Sequence, residues 1–221
     1  MINYFKKDSV LNKILKSTLI LSLCMMFMYT IFEPSSSSAL DATDTVVITL
    51  DVTAGISITS PVNSSMSTAL GVSQDTAVGT TTWNVKTNNS AGYTLALRSS
   101  TTPAMKATTT TDSINDYQTG SPNTWSVSSG AAAFGYSLFG NDVNTGTWGT
   151  GSTCSTGGAH IPSTSLKYKG FTGSDFTVVT RTSTTTTTGV DSTICYAVEQ
   201  DTFYIPSGRY EATIIATATA S

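Results

Sequence analysis

The sequence predicts an all-β protein: a single β-sandwich, Ig-like or jelly-roll-like, of about eight to ten strands behind an N-terminal signal helix. Three observations predict this fold class. Apolar residues recur at every second position in many short runs, and polar turns rich in Ser, Thr, Asn and Gly separate those runs. No stretch after residue 39 shows sustained helical periodicity, which would be expected of an amphipathic helix.

The first 39 residues have the order of a secretory signal. Four lysines form a basic head, an apolar run covers residues 18–32, and Ser37-Ser38-Ala39 supplies small residues before a cleavage point. We therefore expect cleavage after Ala39 and export of residues 40–221. A retained membrane anchor is the alternative, although a run of about 15 residues is shorter than the roughly 20 that cross a bilayer. Lipid attachment at Cys24 is disfavoured because a large residue precedes it and the apolar run continues beyond it.

Charge limits the partners of the exported part. The chain has 11 Lys and Arg and 14 Asp and Glu, of which four bases and two acids lie in residues 1–39, leaving seven bases, twelve acids and a net charge of −5. Nucleic acids and anionic membranes are bound by clustered Lys and Arg. We therefore expect no nucleic-acid partner, and a membrane contact only if the signal segment is retained.

The first half of the expected domain opens with alternation. Residues 46–52 predict the first strand, and residues 56–58 resume it after Gly55. Residues 82–87 and 93–97 flank the turn-rich Asn88-Asn89-Ser90-Ala91-Gly92, and this predicts a β-hairpin. A long loop is expected near 99–123.

The second half contains further short strands around another long loop. Residues 210–220 place alanine and isoleucine on one face and mostly threonine on the other, which is typical of a half-buried strand. The remaining strands are predicted at 125–127, 134–139, 166–168, 176–181, 193–199 and 202–205, with the loop near 140–165.

Cys154 and Cys195 are the two cysteines that follow the signal segment. We expect a disulfide between them, because exported proteins meet oxidising surroundings; unrelated free thiols are the alternative. Closing a loop of this length stabilises a fold by about 4 kcal/mol. His160 is the only histidine, so a Cys/His zinc site or Cys–His nucleophile has few candidate residues. No cofactor is expected.

Two acidic patterns are candidate sites. Asp142 and Asn144 begin a run of alternating oxygen ligands before Gly146, a weak calcium-loop signal, since Thr153 stands where a full loop needs an acid. An ordinary Asx turn is the favoured interpretation. Glu199 and Asp201 are two apart near a strand end and could face one side, but acids there are usually solvated, and we predict no catalytic residues.

Aromatic residues in Ser/Gly-rich segments are the candidate ligand-binding surface. Trp125, Trp148 and Tyr117 could present ring faces on which sugars stack, whereas aromatic residues of β-proteins more often close a core. A cross-link from Lys86 or Lys167 to an asparagine side chain is a further hypothesis.

Both ends of the expected domain resemble a known family. The opening strands at 46–58, the segments Thr82-Trp83-Asn84-Val85 and Ala91-Gly92-Tyr93-Thr94-Leu95, and the terminal segment 207–214 resemble WxL-type surface domains of bacteria. The resemblance covers about a third of the expected domain, and it implies an exported β-domain that attaches non-covalently to the cell wall. The stretch 125–210 also looks like uncharacterised secreted bacterial proteins.

These observations predict a secreted or cell-surface, non-enzymatic protein. A structural or surface-binding role, towards a cell-wall polymer or glycan or in adhesion, is the leading hypothesis. A strand-exchanging subunit of a surface fibre or S-layer-like coat, associating through its terminal strands, is the second. A carbohydrate-binding or hydrolytic domain is the third.

Overall fold

The structure is a computed structural model that describes residues 5–31, 45–59 and 61–221. The expected cleavage point at Ala39 lies outside the described residues. The chain divides into two compact units, Met1–Leu50 and Asp51–Ser221. Each unit is described by itself.

The described part of the first unit contains one helix, α1 (Phe5–Ile31). Its stretch Leu11–Met28 is long and apolar enough to cross a membrane, judged by length and composition alone, and a signal sequence near an N-terminus passes the same test. The helix begins well before the apolar run at 18–32, because the lysines and leucines ahead of that run are also good helix formers. This N-terminal apolar helix is compatible with a signal peptide.

Residues 46–52 do not form the predicted first strand. Val46, Ile48 and Leu50 are 84%, 88% and 85% exposed. No hydrogen bond is found for any of residues 46–52 among the described residues. Alternation makes a segment suited to a sheet, but a strand also needs a neighbour with which to share its backbone hydrogen bonds.

The second unit is built from strands and one short helix. Several strands are only two or three residues long, so the described residues contain twelve where about eight to ten were expected. In chain order the elements are β1 (Ile56–Thr59), β2 (Thr76–Thr87), β3 (Tyr93–Ser99), β4 (Met105–Ala107), β5 (Ser113–Asp116), β6 (Asn123–Thr124), β7 (Ala131–Gly140), α2 (Thr145–Trp148), β8 (Lys167–Tyr168), β9 (Phe176–Arg181), β10 (Val190–Asp201), β11 (Tyr210–Glu211) and β12 (Ile214–Ala220).

Three sheets organise these strands. The largest has seven strands in the order β1-β2-β10-β7-β5-β4-β11, and the others are β12-β3-β9 and the pair β6-β8. Neighbouring strands are antiparallel except for β5 and β7, which are parallel. The all-β class is therefore confirmed.

The main hydrophobic core receives side chains from both larger sheets. Every second residue of β3 is buried, beginning with Tyr93, Leu95 and Leu97. The same cluster contains residues of three further strands. They are Phe134, Tyr136 and Leu138 of β7, Val178 and Val179 of β9, and Ile194, Tyr196 and Val198 of β10. In β3, the period-two pattern of the sequence thus identifies the inward face of the strand.

The opposite face of the seven-stranded sheet is also covered. A second cluster there contains Tyr117 and Leu166 from connecting segments and Tyr168 of β8, together with Cys195 and Ala197 of β10. β7 and β10 are consequently buried on both faces over most of their length. Segments 117–128 and 149–170 lie over this face, and we call them the cover.

The predicted hairpin of residues 82–97 is wrong. β2 pairs with β1 and β10, whereas β3 pairs with β12 and β9, so the chain crosses from one sheet to the other between Thr87 and Tyr93. Gly92 makes this crossing possible: its φ is +84°, and a Cβ there would lie 2.0 Å from the Arg181 carbonyl oxygen. A five-residue loop with a terminal glycine suits a crossing as well as a hairpin.

The expected loops contain regular elements. β4 and β5 lie within 99–123, and α2 lies within 140–165. The strand predicted at 125–127 is absent, and 202–205 is a loop, because β10 ends at Asp201 and Thr202 has a φ of 54° outside the β region.

Candidate functional site

A cleft of about 620 Å³ lies where the cover meets α2 and the start of β9. Lys167, Lys169 and Phe176 line it, together with residues that carry hydroxyl groups, namely Thr119, Ser121 and Thr147. We call this site the lysine cleft. Its volume is in the range of small-ligand sites.

The two lysines reach the same cleft because they are two residues apart in an extended segment. Lys167 belongs to β8, which pairs with β6. Lys169 is fixed to the central sheet, since its backbone N–H donates to the Tyr136 carbonyl and its carbonyl accepts from the Tyr136 N–H, both at 2.8 Å. The cleft is thus anchored to β7, which is one of the two strands that are buried on both faces.

Lys169 is a buried cation. Lys169 is only 3% exposed. Its Nζ donates to the carbonyl oxygens of Thr119 and Gly120, the latter at 2.6 Å, and lies 4.4 Å from the centroid of the Phe176 ring. Burial lowers the pKa of Lys169 from its ordinary value. No carboxylate of the described residues forms an ion pair with it.

Lys167 reaches the cleft from the other side. It is half-buried, and its Nζ donates to the Gly146 carbonyl at 2.9 Å. Gly146 is held in place by α2, which Asn144 caps by accepting from the Thr147 N–H. Trp148 anchors the other end of α2 in the core, with its ring 5.4 Å from that of Tyr136.

The residues that line the cleft offer hydrogen-bond donors to a ligand. They include two ammonium groups and three hydroxyl groups, and among these described residues there is no Asp, Glu, His or Cys. Ammonium and hydroxyl donors are the groups that hold oxyanions and sugars.

No family model matches this chain. No curated protein and no solved structure matches it either.

Cys154 and Cys195 form the expected disulfide. Cys195 is fully buried in β10, and Cys154 lies in the cover, 41 residues earlier. The bond therefore joins the cover to a central strand of the seven-stranded sheet. Cys24 in α1 is an exposed free cysteine.

The candidate aromatic residues do not form an exposed surface. Trp148 is 1% exposed and belongs to the main core, and Tyr117 is 7% exposed beneath the cover. Trp125 is half-buried: it stacks on Tyr117 with ring centroids 4.5 Å apart and meets Tyr168 edge-on at 5.1 Å. The segments expected to be surface loops fold back onto the sheet, so their aromatic rings pack against one another instead of facing solvent.

The calcium candidates have other partners. Asp142 pairs with Arg181 at 2.9 Å and accepts a hydrogen bond from the Tyr93 hydroxyl. The Asn144 side chain caps α2. Among the described residues there is no group of three or more His, Cys, Asp or Glu that could hold a metal ion.

Glu199 contacts the cover, and the charge of Asp201 lies near it. The Glu199 carboxylate accepts a hydrogen bond from the Trp125 indole N–H at 2.5 Å. Desolvation by burial raises the pKa of Glu199; the Trp125 hydrogen bond opposes that rise, and the charges of Asp201 and Asp75 add to it. This carboxylate serves to position Trp125 in the cover.

Sequence reasoning did not identify Lys169, or the exposed aromatic pair Phe203 and Tyr204. Phe203 and Tyr204 are 50% and 60% exposed in the loop after β10. Lysine is ordinarily a surface residue, so its type gave no sign of burial. The alternation of Lys167, Tyr168 and Lys169 was the one available signal, because it places both lysines opposite a buried tyrosine.

Proposed function

We propose that this protein is exported and acts, without catalysing a reaction, as a cell-envelope β-domain that binds a component of the cell surface. The lysine cleft carries this proposal. It combines two ammonium groups with hydroxyl groups, and one of the ammonium groups is buried without an ion-pair partner among the described residues. Such a site is suited to hold a ligand.

Export is supported by two independent features. The chain begins with an apolar helix that has the length and composition of a signal sequence or membrane span. It also contains a disulfide between Cys154 and Cys195, and such bonds form and persist in oxidising compartments. We propose a secreted or cell-surface location on these grounds.

We propose further that the second unit is a β-sandwich of the kind found in surface proteins. The shared core of the two larger sheets supports this, since a sandwich core is filled from two inner faces. The resemblance of the two ends to WxL-type domains makes the cell wall the surface to test first.

Fractionation and wall binding test this function. Cells that produce the protein are separated into medium, wall, membrane and cytoplasm, and purified protein is pelleted with purified cell walls. We expect the protein outside the cytoplasm and in the wall pellet. Cytoplasmic protein, or pelleting no greater than that of an unrelated acidic protein of similar size, would refute the proposal.

A second candidate function is supported by a different observation. Residues 46–52 are exposed, apolar at alternating positions and without hydrogen bonds among the described residues. β12 is an edge strand that pairs only with β3, and its Ile214, Ala216 and Ala218 are half-buried against the core. We propose as the alternative that residues 46–52 of one copy add to β12 of another in a surface fibre or coat.

A further inference from the structure

We propose that the lysine cleft binds an oxyanion, namely a carboxylate or phosphate group carried by a surface glycan. The oxyanion follows from the cleft alone, whereas the glycan as its carrier rests on the proposed surface-binding function. Three observations lead to this ligand class.

The first observation is that Lys169 has no ion-pair partner among the residues that the structure describes. Its Nζ has carbonyl partners, which supply dipoles but no negative charge. The ion pairs of the described residues all use arginine: Arg98 with Asp175, Arg181 with Asp142, and Arg209 with Glu211. A buried charge without a counter-ion is costly, so an anion that enters the cleft stabilises both itself and the lysine.

The second observation is the arrangement of donors. Lys167 and Lys169 each have an N–H beyond those given to the carbonyl oxygens of Gly146, Thr119 and Gly120. Two cations at one cleft with no acidic lining residue give a local excess of positive charge. The hydroxyl groups of Thr119, Ser121 and Thr147 can bind the neutral oxygens of the molecule that carries the anion.

The third observation concerns the size of the charged group. Residues 40–221 have a net charge of −5, since they contain seven bases and twelve acids. A long, densely charged polyanion is repelled by that charge. One isolated oxyanion on an otherwise neutral sugar avoids most of this repulsion, and it fits a cleft of about 620 Å³.

The test compares three probes on the full protein purified from cells that produce it. N-acetylmuramic acid and N-acetylglucosamine are amino sugars that differ in a carboxylate-bearing side group, and inorganic phosphate supplies the other oxyanion. We expect N-acetylmuramic acid or phosphate to bind, measured by calorimetry, with at least about ten-fold higher affinity than N-acetylglucosamine, since a charge-assisted hydrogen bond contributes this much. The anion that binds with the higher affinity shows whether the ligand carries a carboxylate or a phosphate group.

Variants locate the binding in the cleft. Lys167→Gln and Lys169→Met should each weaken anion binding about ten-fold or more. Lys86→Gln, at an exposed position of β2, is the matched control and should bind as the parent does. Because Lys169→Met removes a buried contact and could impair folding, half-buried Lys167 provides the decisive variant.

The outcomes separate the oxyanion site from the proposed surface-binding function. Equal binding of the neutral sugar, no binding of either anion, or equal affinities for Lys167→Gln and Lys86→Gln would overturn the oxyanion inference, even if the protein pellets with walls. Anion binding that Lys167→Gln weakens, in a protein that does not pellet with walls, would support the oxyanion site and refute the surface-binding function.

Discussion

Glu199 and Lys169 are charged side chains that the fold removes from water in different ways. Glu199 is partly buried and accepts a hydrogen bond from Trp125, with other acids nearby. Lys169 is more deeply buried and is held by carbonyl oxygens and the Phe176 ring. Both carry a desolvation cost, so both change their pKa on folding and make stability depend on pH.

Glu199→Gln should stabilise the protein at pH 7. The pKa of Glu199 is raised by folding, so its favourable contribution is present below the unfolded pKa and is lost as pH rises through the folded pKa. Glutamine stays neutral and can still accept from Trp125. The gain in unfolding free energy, measured with urea, should therefore be present at pH 7 and absent at pH 4.

Glu211→Gln is the control for this prediction. Glu211 is more than half exposed and pairs with Arg209 at the surface, where such pairs contribute little. Its replacement should leave stability nearly unchanged at both pH values. A Glu199→Gln protein that is less stable than the parent at pH 7 would show that the Trp125 hydrogen bond outweighs desolvation.

At the scale of residues, the sequence predicted the disulfide but not which side chains line a cleft. Cys154 and Cys195 could be paired because two cysteines in an oxidising compartment have one possible bond. Trp148 and Tyr117 were indistinguishable from exposed aromatics because Ser/Gly-rich segments can either extend into solvent or fold back. Lys169 is buried, and the only local sign in the sequence is its alternation with Tyr168 and Lys167.

At the scale of elements, strands were predictable where apolar residues alternate within a short segment of the sequence. β9 occupies residues 176–181 as expected, and β7 and β10 contain the predicted runs at 134–139 and 193–199. The pairing of β2 and β3 was not predictable, because alternation identifies a strand and its inward face but not the sheet it joins. Residues 46–52 show the same limit: their pattern is that of a strand, but they pair with no strand in the part of the chain that the structure describes.

The strand-exchange alternative makes a prediction about residues 46–52. Ile48→Asp should abolish concentration-dependent assembly, because a charge would be buried against the edge of a neighbouring copy. Light scattering of the purified protein over a range of concentrations measures this.

Val72→Asp is the matched control for assembly. Val72 is 82% exposed in the second unit and outside any strand, so its replacement should leave assembly unchanged. A protein that stays monomeric at all concentrations would rule out exchange, as would equal assembly of both variants.

At the scale of the whole molecule, the disulfide holds the cover on the seven-stranded sheet. Removing it with Cys154→Ala and Cys195→Ala should lower the unfolding free energy by about 4 kcal/mol, as expected for a closed loop of this length. Urea unfolding of the parent and the double variant measures the difference.

Cys24→Ala provides the control for the disulfide. Cys24 is exposed and free in α1, so its replacement should not change stability. In the folded, non-reduced full chain, a thiol reagent should label Cys24 alone. Labelling of Cys154 and Cys195 under these conditions would show that the bond does not form.

The pairing of β2 with β10 has a consequence for how the chain folds. Val85 pairs with Val190, so the two longest strands of the largest sheet join residues separated by more than a hundred positions. Such non-local contacts make folding slow, and this one cannot form until β10 has been synthesised. On the proposed export route, the largest sheet closes only after β10 has been synthesised, so this topology would favour passage through a membrane channel before the sheet forms.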